Sequence, residues 1–303
     1  MEKTERIPKY LLDKIKEQYG EELTKLIIDG YTKKRKVTLR VNTIKTNIKN
    51  ICDVLNKNNI KYEKTILYED ALIILDTDES QIRKLNIYEN GEIYLQSLSS
   101  MLPPIILEPK QKKDILDMAA APGGKTTQIA ALTENNANIT ACEINKLRAE
   151  RLKYNLEKQG VSSASVIITD ARKLDDFFSF DQILLDAPCS GSGTISLEDE
   201  EKNIVFTKEF ADKLEKTQTN LLNKAINLLK KGSEMVYSTC SILYEENESI
   251  IQKMLNDKKV EVIPIKLNGL EQIQTLPSKI EGTICVCPNE LYEGFFVAKL
   301  KKI

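Results

Sequence analysis

Histidine is absent from all 303 residues of this chain. That excludes a Ser-His-Asp triad and a Cys-His pair, so any nucleophile must be activated by other means. It also argues against zinc sites of the usual Cys/His kind. The six cysteines (Cys52, Cys142, Cys189, Cys240, Cys285 and Cys287) form no C-x-x-C pair, and no metal is expected. No apolar run approaches a membrane span, and the N-terminus MEKTERIPKYLLDK lacks signal-peptide character. The expectation is a cytoplasmic protein without a membrane partner, its scattered cysteines reduced.

Hydrophobic residues make up 41% and charged residues 29%, an ordinary globular composition. The length suggests two domains. Net charge is only −1, but it is unevenly spread. Residues 1–113 hold 21 Lys/Arg against 17 Asp/Glu, whereas residues 114–303 hold 23 against 28. A basic N-terminal part beside a mildly acidic domain fits a phosphate-backbone partner docking on one side. A solvated lysine-rich surface explains the charge equally well.

Helical spacing of Leu11, Leu12, Ile15, Leu23, Leu26 and Ile27 predicts helices over 8–30, followed by the basic run Lys33-Lys34-Arg35-Lys36. A strand at 38–43, a helix at 47–58, strands at 62–68 and 71–75, a short helix at 78–85 and a strand at 92–96 follow. That order is β-α-β-β-α-β, the ferredoxin-like pattern of many small RNA-binding modules. The stacking aromatics of an RNA-recognition sheet are not evident, although Tyr62, Tyr68 and Tyr94 lie on these strands. Segment 95–107 reads as a joint, with Ser97 or Ser99 capping a helix that ends before Pro103-Pro104.

From Asp114 the pattern alternates. Strands at 114–119, 138–143, 164–170, 182–187 and 234–239 each lead to a helix, the longest at 145–159 and 208–230. A strand at 260–265 and two apolar strands near 283–287 and 294–300 close the chain. This predicts an α/β Rossmann-like domain over 114–303, mostly parallel with one antiparallel strand, beside a smaller α+β domain over 1–113.

The stretch Asp114 to Thr127, DILDMAAAPGGKTT, is where a cofactor is expected. An apolar strand breaks into Ala119-Ala120-Ala121-Pro122-Gly123-Gly124, and a helix starts at Lys125. Small residues let the backbone approach a ligand, and the helix end offers free N–H groups. Phosphate-bearing nucleotides and S-adenosylmethionine both use this arrangement. A P-loop would need Gly in place of Ala119, and the G-x-G-x-x-G dinucleotide pattern is missing.

Ligands in an open α/β sheet bind beyond the carboxyl ends of its strands. Those ends carry Asp117, Glu143, Asp170, Asp186 with Pro188-Cys189, and Thr239-Cys240. Glu143 suits a ribose diol and Asp170 an adenine amino group, which favours a nucleoside over a bare phosphate chain. Either cysteine alone is more often a packing residue. Both, however, sit just past a strand end beside turn residues and helix starts, where thiolate is favoured.

DMAAAPGGKT, the DAPCSG loop and the STCS strand end, in that order, resemble the Nop/Sun (Fmu-type) RNA cytosine-5 methyltransferases. LRVNT, LQSLSSMLPP, Gln218 and GFFVAKLKK extend the likeness over nearly the whole chain. The resemblance implies the class I methyltransferase form of the sheet, S-adenosylmethionine as cofactor, and RNA (rRNA or tRNA) as partner of a monomer. It implies that the backbone of Ala119, Ala120, Ala121, Pro122, Gly123, Gly124 and Lys125 cradles the methionine end of the cofactor. Glu143 then lies on ribose, Asp170 by adenine, and Asp186 beside both cofactor and cytosine. It further implies that Cys240 attacks carbon 6 of cytosine and that Asp186, helped by Lys125, meets the cytosine edge. Cys189 then promotes elimination and release. The base must be unstacked to be reached.

Two features depart from the pattern. Leu197-Glu198-Asp199-Glu200-Glu201-Lys202 stands where a basic segment is usual, and Cys287-Pro288-Asn289 stands where many relatives have Pro-His. With no further RNA-binding domain in the sequence, RNA specificity is expected from residues 1–113. The alternatives are a catalytically idle RNA-binding or ribosome assembly factor that keeps the fold, and a P-loop-like NTPase. The Cys189/Cys240 pair speaks against the first, and Ala119 and Glu143 against the second.

Overall fold

The computed structural model describes residues 3–198 and 206–303. Residues 199–201 of the acidic stretch lie outside them. Helix α1 (Lys9–Thr32) breaks at Gly20, whose φ of 73° is left-handed and costs a glycine little. Its residues Leu11, Ile15, Ile27 and Tyr31 are buried in one cluster with Ile183, Leu185, Tyr237 and Phe296 of the large sheet. The N-terminal helices therefore pack on the C-terminal domain. Gly30 permits this closeness, because a Cβ there would sit 1.9 Å from the Pro288 carbonyl oxygen.

Strand β1 (Thr38–Val41), α2 (Ile48–Lys57), β2 (Tyr62–Lys64), β3 (Ala71–Ile74), α3 (Glu79–Ile82), α4 (Asn86–Glu89) and β4 (Ile93–Leu95) build the small domain. Its antiparallel sheet runs β2-β3-β1-β4, the ferredoxin-like order. Asn47 caps α2 and Asp78 caps α3 through their side chains. The strand expected over 62–68 is shorter, because Thr65 Oγ1 accepts the Leu67 N–H and turns the chain. The helix expected over 78–85 is a single turn, α3; extended Leu85 ends that stretch, and α4 adds a second turn beyond it.

Alternation along β1 and β3 sends Leu39, Val41, Leu72 and Ile74 against α2 and its neighbours. The opposite face is covered too. Thr38, Arg40, Ala71 and Ile73 are all buried, and the last two join the core around α5 (Leu98–Leu107). An RNA-recognition sheet needs that face open for stacking. Here it is an interdomain contact, which accounts for the missing aromatics.

Ser97 caps α5, but the helix does not stop before the prolines; Pro103 and Pro104 lie inside it. Proline removes an N–H and orphans the carbonyl four residues back. Gln96 Nε2 donates to the Ser100 carbonyl at 3.1 Å and fills that vacancy for Pro104.

The second domain comprises β5 (Asp114–Asp117), α6 (Gly124–Leu132), β6 (Asn138–Glu143), α7 (Lys146–Lys158), β7 (Ala164–Ile168), β8 (Phe180–Asp186), α8 (Lys208–Leu228), β9 (Leu229–Thr239), α9 (Glu248–Asn256), β10 (Val260–Ile263), β11 (Thr275–Leu276), β12 (Ile284–Val286) and β13 (Phe295–Lys302). Five parallel strands lie in the order β7-β6-β5-β8-β9, and β13 runs antiparallel along β9. Strands β10 and β12 pair with the other edge of β13. The two-residue β11 is too short to read from alternation. The chain leaves β5 for β6 and β7 on one side, then crosses to β8 and β9 on the other. This switch point, between Asp117 and Asp186, is where a crevice opens in such sheets. Among the described residues, no helix is long and apolar enough to cross a membrane.

Candidate active site

A cleft of about 960 Å³ lies between the two domains. Ala119, Ala120, Ala121, Pro122, Gly124 and Lys125 form one wall, with Asp117 and Asp186 at the strand ends. Across it stand residues of the small domain, among them Tyr94 and Gln96. Gly123, at φ 109°, begins α6 in a conformation unsuited to a side chain. A Cβ on Gly124 would meet the Tyr94 ring at 3.2 Å, so the loop is pressed against the small domain. Buried Arg40 joins the two. Its Nε donates to Gln96 and its Nη2 to Thr127 Oγ1, at 3.0 and 2.8 Å.

Asp117 is almost wholly buried. Its Oδ2 accepts from Thr126 Oγ1 at 2.7 Å, while its Oδ1 has no partner. Burial pushes its pKa up to about 6; the Thr126 hydrogen bond and the Lys125 charge limit the rise.

Register pairs Asp186 with Ser238 across β8 and β9. Ser238 Oγ donates to Asp186 Oδ1 and Lys125 Nζ meets its Oδ2, both at 2.7 Å. Lys125 also donates to Ser100 Oγ at 2.9 Å and lies 5.6 Å from the centre of the Phe295 ring. Burial opposes its charge, but Asp186, with Asp117 and Cys240 behind it, outweighs burial, and the ammonium holds its proton above the usual lysine value.

Cys189 and Cys240 face each other with their sulfurs 3.1 Å apart, both partly accessible. The same register explains this, since each follows its strand end by a few residues. Gly193 N–H donates to the Cys240 carbonyl, and Ser192 and Ser241 hydroxyls meet at 2.8 Å, lacing the two loops together. The partner sulfur first, then burial, push the Cys189 thiol well above its ordinary value. Cys142 is buried, its thiol pushed up to about 12, and Cys52, Cys285 and Cys287 are buried as well. None of these four is a nucleophile candidate.

Glu143 ends β6 almost wholly buried. Its Oε1 accepts the Asn145 N–H at 2.8 Å, and Arg148 lies 3.6 Å from Oε2. Strand β7 stops at Ile168, two residues earlier than expected, so Asp170 stands beyond it. Its hydrogen bonds to Arg172, at 2.6 to 3.1 Å, hold its carboxyl below the usual range. Glu143 and Asp170 lie along the strand ends on the β6–β7 side of Asp117 and do not line the cleft.

Ser100, Ser238 and Phe295 lie within motifs named above and Arg35 within the basic run, but sequence reasoning gave none of the four a place in the site. Each arrives from a different element. In the sequence Arg35 is no more than one member of a basic run. Its Nε is buried without a partner, and its nearest carbonyl contacts, Gly193 and Ile195, are long at 3.4 and 3.5 Å. Lys34, Arg35 and Lys36 line the cleft; Lys33 pairs with Asp29 and Lys36 with Glu290.

A Rossmann-like sheet with a small-residue loop at its switch point, and two facing thiols at the next strand ends, defines a methyltransferase-type protein. Residues 104–301 match the family model described as 16S rRNA methyltransferase RsmB/F, and residues 7–78 match the ferredoxin-like domain of the same family. The chain belongs to the RsmB/F family, in agreement with the Nop/Sun resemblance of its motifs. It is 32% identical to the probable ribosomal RNA small subunit methyltransferase B of Bacillus subtilis, over 97% of this chain and 66% of the relative. It is 37% identical to a tRNA (cytosine(72)-C(5))-methyltransferase of Pyrococcus horikoshii, over 73% of this chain and 55% of the relative. The chain thus spans between about half and two thirds of these curated relatives. The crystal structure of NSun6 from Pyrococcus horikoshii with SFG superposes with a TM-score of 0.86 at 25% identity, covering 97% of this chain and 98% of that one.

Proposed function

We propose that the protein transfers a methyl group from S-adenosylmethionine to carbon 5 of a cytosine in RNA, rRNA or tRNA, through a covalent bond to Cys240. The observation that carries this reading is the pair of sulfurs 3.1 Å apart, with Cys240 within electrostatic reach of the Lys125 ammonium that Asp186 holds.

The loop fits the cofactor. S-adenosylmethionine bears an ammonium and a sulfonium, and Asp117 offers a buried carboxylate oxygen with no other partner. The backbone of residues 119–125 would hold the methionine end, Glu143 the ribose and Asp170 the adenine side. When bound, the cofactor supplies an electrophilic methyl group.

The remaining chemistry belongs to the chain. Cys240 attacks carbon 6 as a thiolate, forming a C–S bond and raising electron density at carbon 5. Asp186, steadied by Ser238, hydrogen-bonds the nitrogen edge of the base, and the Lys125 ammonium offsets the charge that develops there. For release, the carbon 5 proton passes to water and its electron pair forms the 5,6 double bond. The C–S pair returns to Cys240, and the Cys189 S–H stabilises the departing thiolate. The basic residues Lys34, Arg35 and Lys36 place RNA phosphates at the mouth of the cleft. Residues 1–113 thus contribute an edge and a basic rim rather than a stacking sheet.

The test is transfer of labelled methyl from S-adenosylmethionine to RNA and to ribosomal subunits from a deletion strain, mapped by bisulfite sequencing. The wild type is expected to restore 5-methylcytosine, and Cys240→Ala to lose transfer while still binding the cofactor. No incorporation into either substrate by the wild type refutes the reading in favour of an idle RNA-binding factor. Full transfer by Cys240→Ala refutes the nucleophile.

A further inference from the structure

Glu246 lies six residues past Cys240 and is 1% exposed, yet the chemistry above does not use it. Its carboxylate reaches back to the other cysteine loop. Oε1 accepts the Ser190 backbone N–H at 2.8 Å, and Oε2 accepts the Ser190 hydroxyl at 2.5 Å. Gln218 Nε2 donates to the same Oε1 at 3.1 Å and to the Pro188 carbonyl at 2.9 Å. Residues on both sides of Cys189 are therefore clamped to one buried carboxylate that comes from the Cys240 segment. The Glu246 carbonyl is itself held by the Tyr237 hydroxyl at 2.7 Å.

The charges around the two sulfurs are unequal. The Glu246 carboxylate acts on Cys189, which makes ionisation of that thiol harder. The Lys125 ammonium, held mainly by Asp186, also lies within electrostatic reach of Cys240. Tyr237 and Asp186 also adjoin the pair, and the first is pinned as a hydroxyl by burial. A close dithiol that loses one proton shares the other. A carboxylate beside one of the two sulfurs favours the proton on that sulfur.

We propose that Glu246 is a positioning residue for the two-cysteine chemistry. It fixes the Cys189 loop against the Cys240 segment so that Cys189 is the S–H donor and Cys240 the acceptor and nucleophile. This rests on the function proposed above, and it adds what decides which cysteine attacks. The same donated S–H serves twice, first steadying the attacking thiolate and then the departing one.

The test is alkylation of the RNA-free full chain by iodoacetamide, with Cys189 and Cys240 peptides quantified by mass spectrometry. Wild type is expected to label Cys240 first, the other four cysteines being buried. Glu246→Gln is expected to reduce the Cys240:Cys189 labelling ratio roughly tenfold, one pKa unit between the thiols. It is also expected to slow decay of the SDS-stable enzyme–RNA adduct, which a purely structural residue would not do selectively. A wild type that labels Cys189 first, or a folded Glu246→Gln with an unchanged ratio, overturns the proposal. If Glu246→Gln does not fold, Ser190→Ala removes the hydroxyl's hydrogen bond to Glu246, and with it the 3.3 Å acceptor of the Ser192 N–H, while the carboxylate stays. It should move the ratio the same way by a smaller factor, and no movement overturns the proposal. The labelling arm needs neither RNA nor methyl transfer. Failure of the methyltransferase reading would therefore leave the labelling ratio intact.

Discussion

Asp117 puts a measurable penalty on the ligand-free fold. One carboxylate oxygen is hydrogen-bonded and the other is buried without a partner. The folded pKa is raised from 3.8 to about 6. Below the unfolded value both states hold the proton, and the site is neutral to stability. As pH rises from about 4 to about 6, the unfolded chain gives up a proton that the fold retains, so stability falls. Above the folded value the full penalty persists. Two units at about 1.4 kcal/mol each make it about 3 kcal/mol. Asp117→Asn keeps an acceptor for Thr126 and carries no charge. Relative to wild type, it should therefore gain about 2.4 kcal/mol of unfolding free energy between pH 4 and pH 7, the rest of the penalty being present already at pH 4. Urea unfolding of both proteins across that range measures the difference directly. Parallel pH profiles, within the usual scatter of about 0.5 kcal/mol, would refute the reasoning. S-adenosylmethionine should raise the wild-type midpoint more than that of Asp117→Asn at neutral pH, because only the carboxylate gains a countercharge.

Three further outcomes are expected. Cys189→Ala should accumulate an SDS-stable RNA adduct, since the departing Cys240 thiolate loses its S–H donor; rapid turnover without adduct would contradict this. Neutralising Lys34, Arg35 and Lys36 together should weaken RNA binding and flatten the log–log salt slope by about 0.7 for each single-strand phosphate left without a cation. An unchanged slope would make them a solvated surface. Gly30→Ala should cost about 1–3 kcal/mol in thermal or urea unfolding, because the added methyl would sit 1.9 Å from the Pro288 carbonyl oxygen and must force α1 away. A wild-type midpoint would show that the two segments separate freely.

Much of the fold was legible because its signals are local. Strand β6, helices α6, α7 and α2, and the closing pair β12–β13 appear within a residue or two of where periodicity puts them. The errors fall where tertiary contacts override local preference. Helix α5 passes through two prolines because Gln96 supplies a missing donor and the surrounding core holds the helix. The short strand β2 ends at a side-chain turn. Position in the chain groups helix α1 with the small domain, but its apolar face fits the large sheet.

The small-residue loop, the two cysteine motifs and the strand-end carboxylates could be read from residue order alone. A parallel sheet presents successive strand ends on one edge, so spacing along the chain becomes proximity. The distance between Cys189 and Cys240, and the Ser238–Asp186–Lys125 chain beside them, come from register between β8 and β9. Spacing does not encode that register. The covered face of the small sheet and the orphaned oxygen of Asp117 are likewise products of packing. So is the clamp from Glu246 to Ser190, which joins segments 56 residues apart. Each depends on which surfaces exclude water together, and only the folded chain decides that.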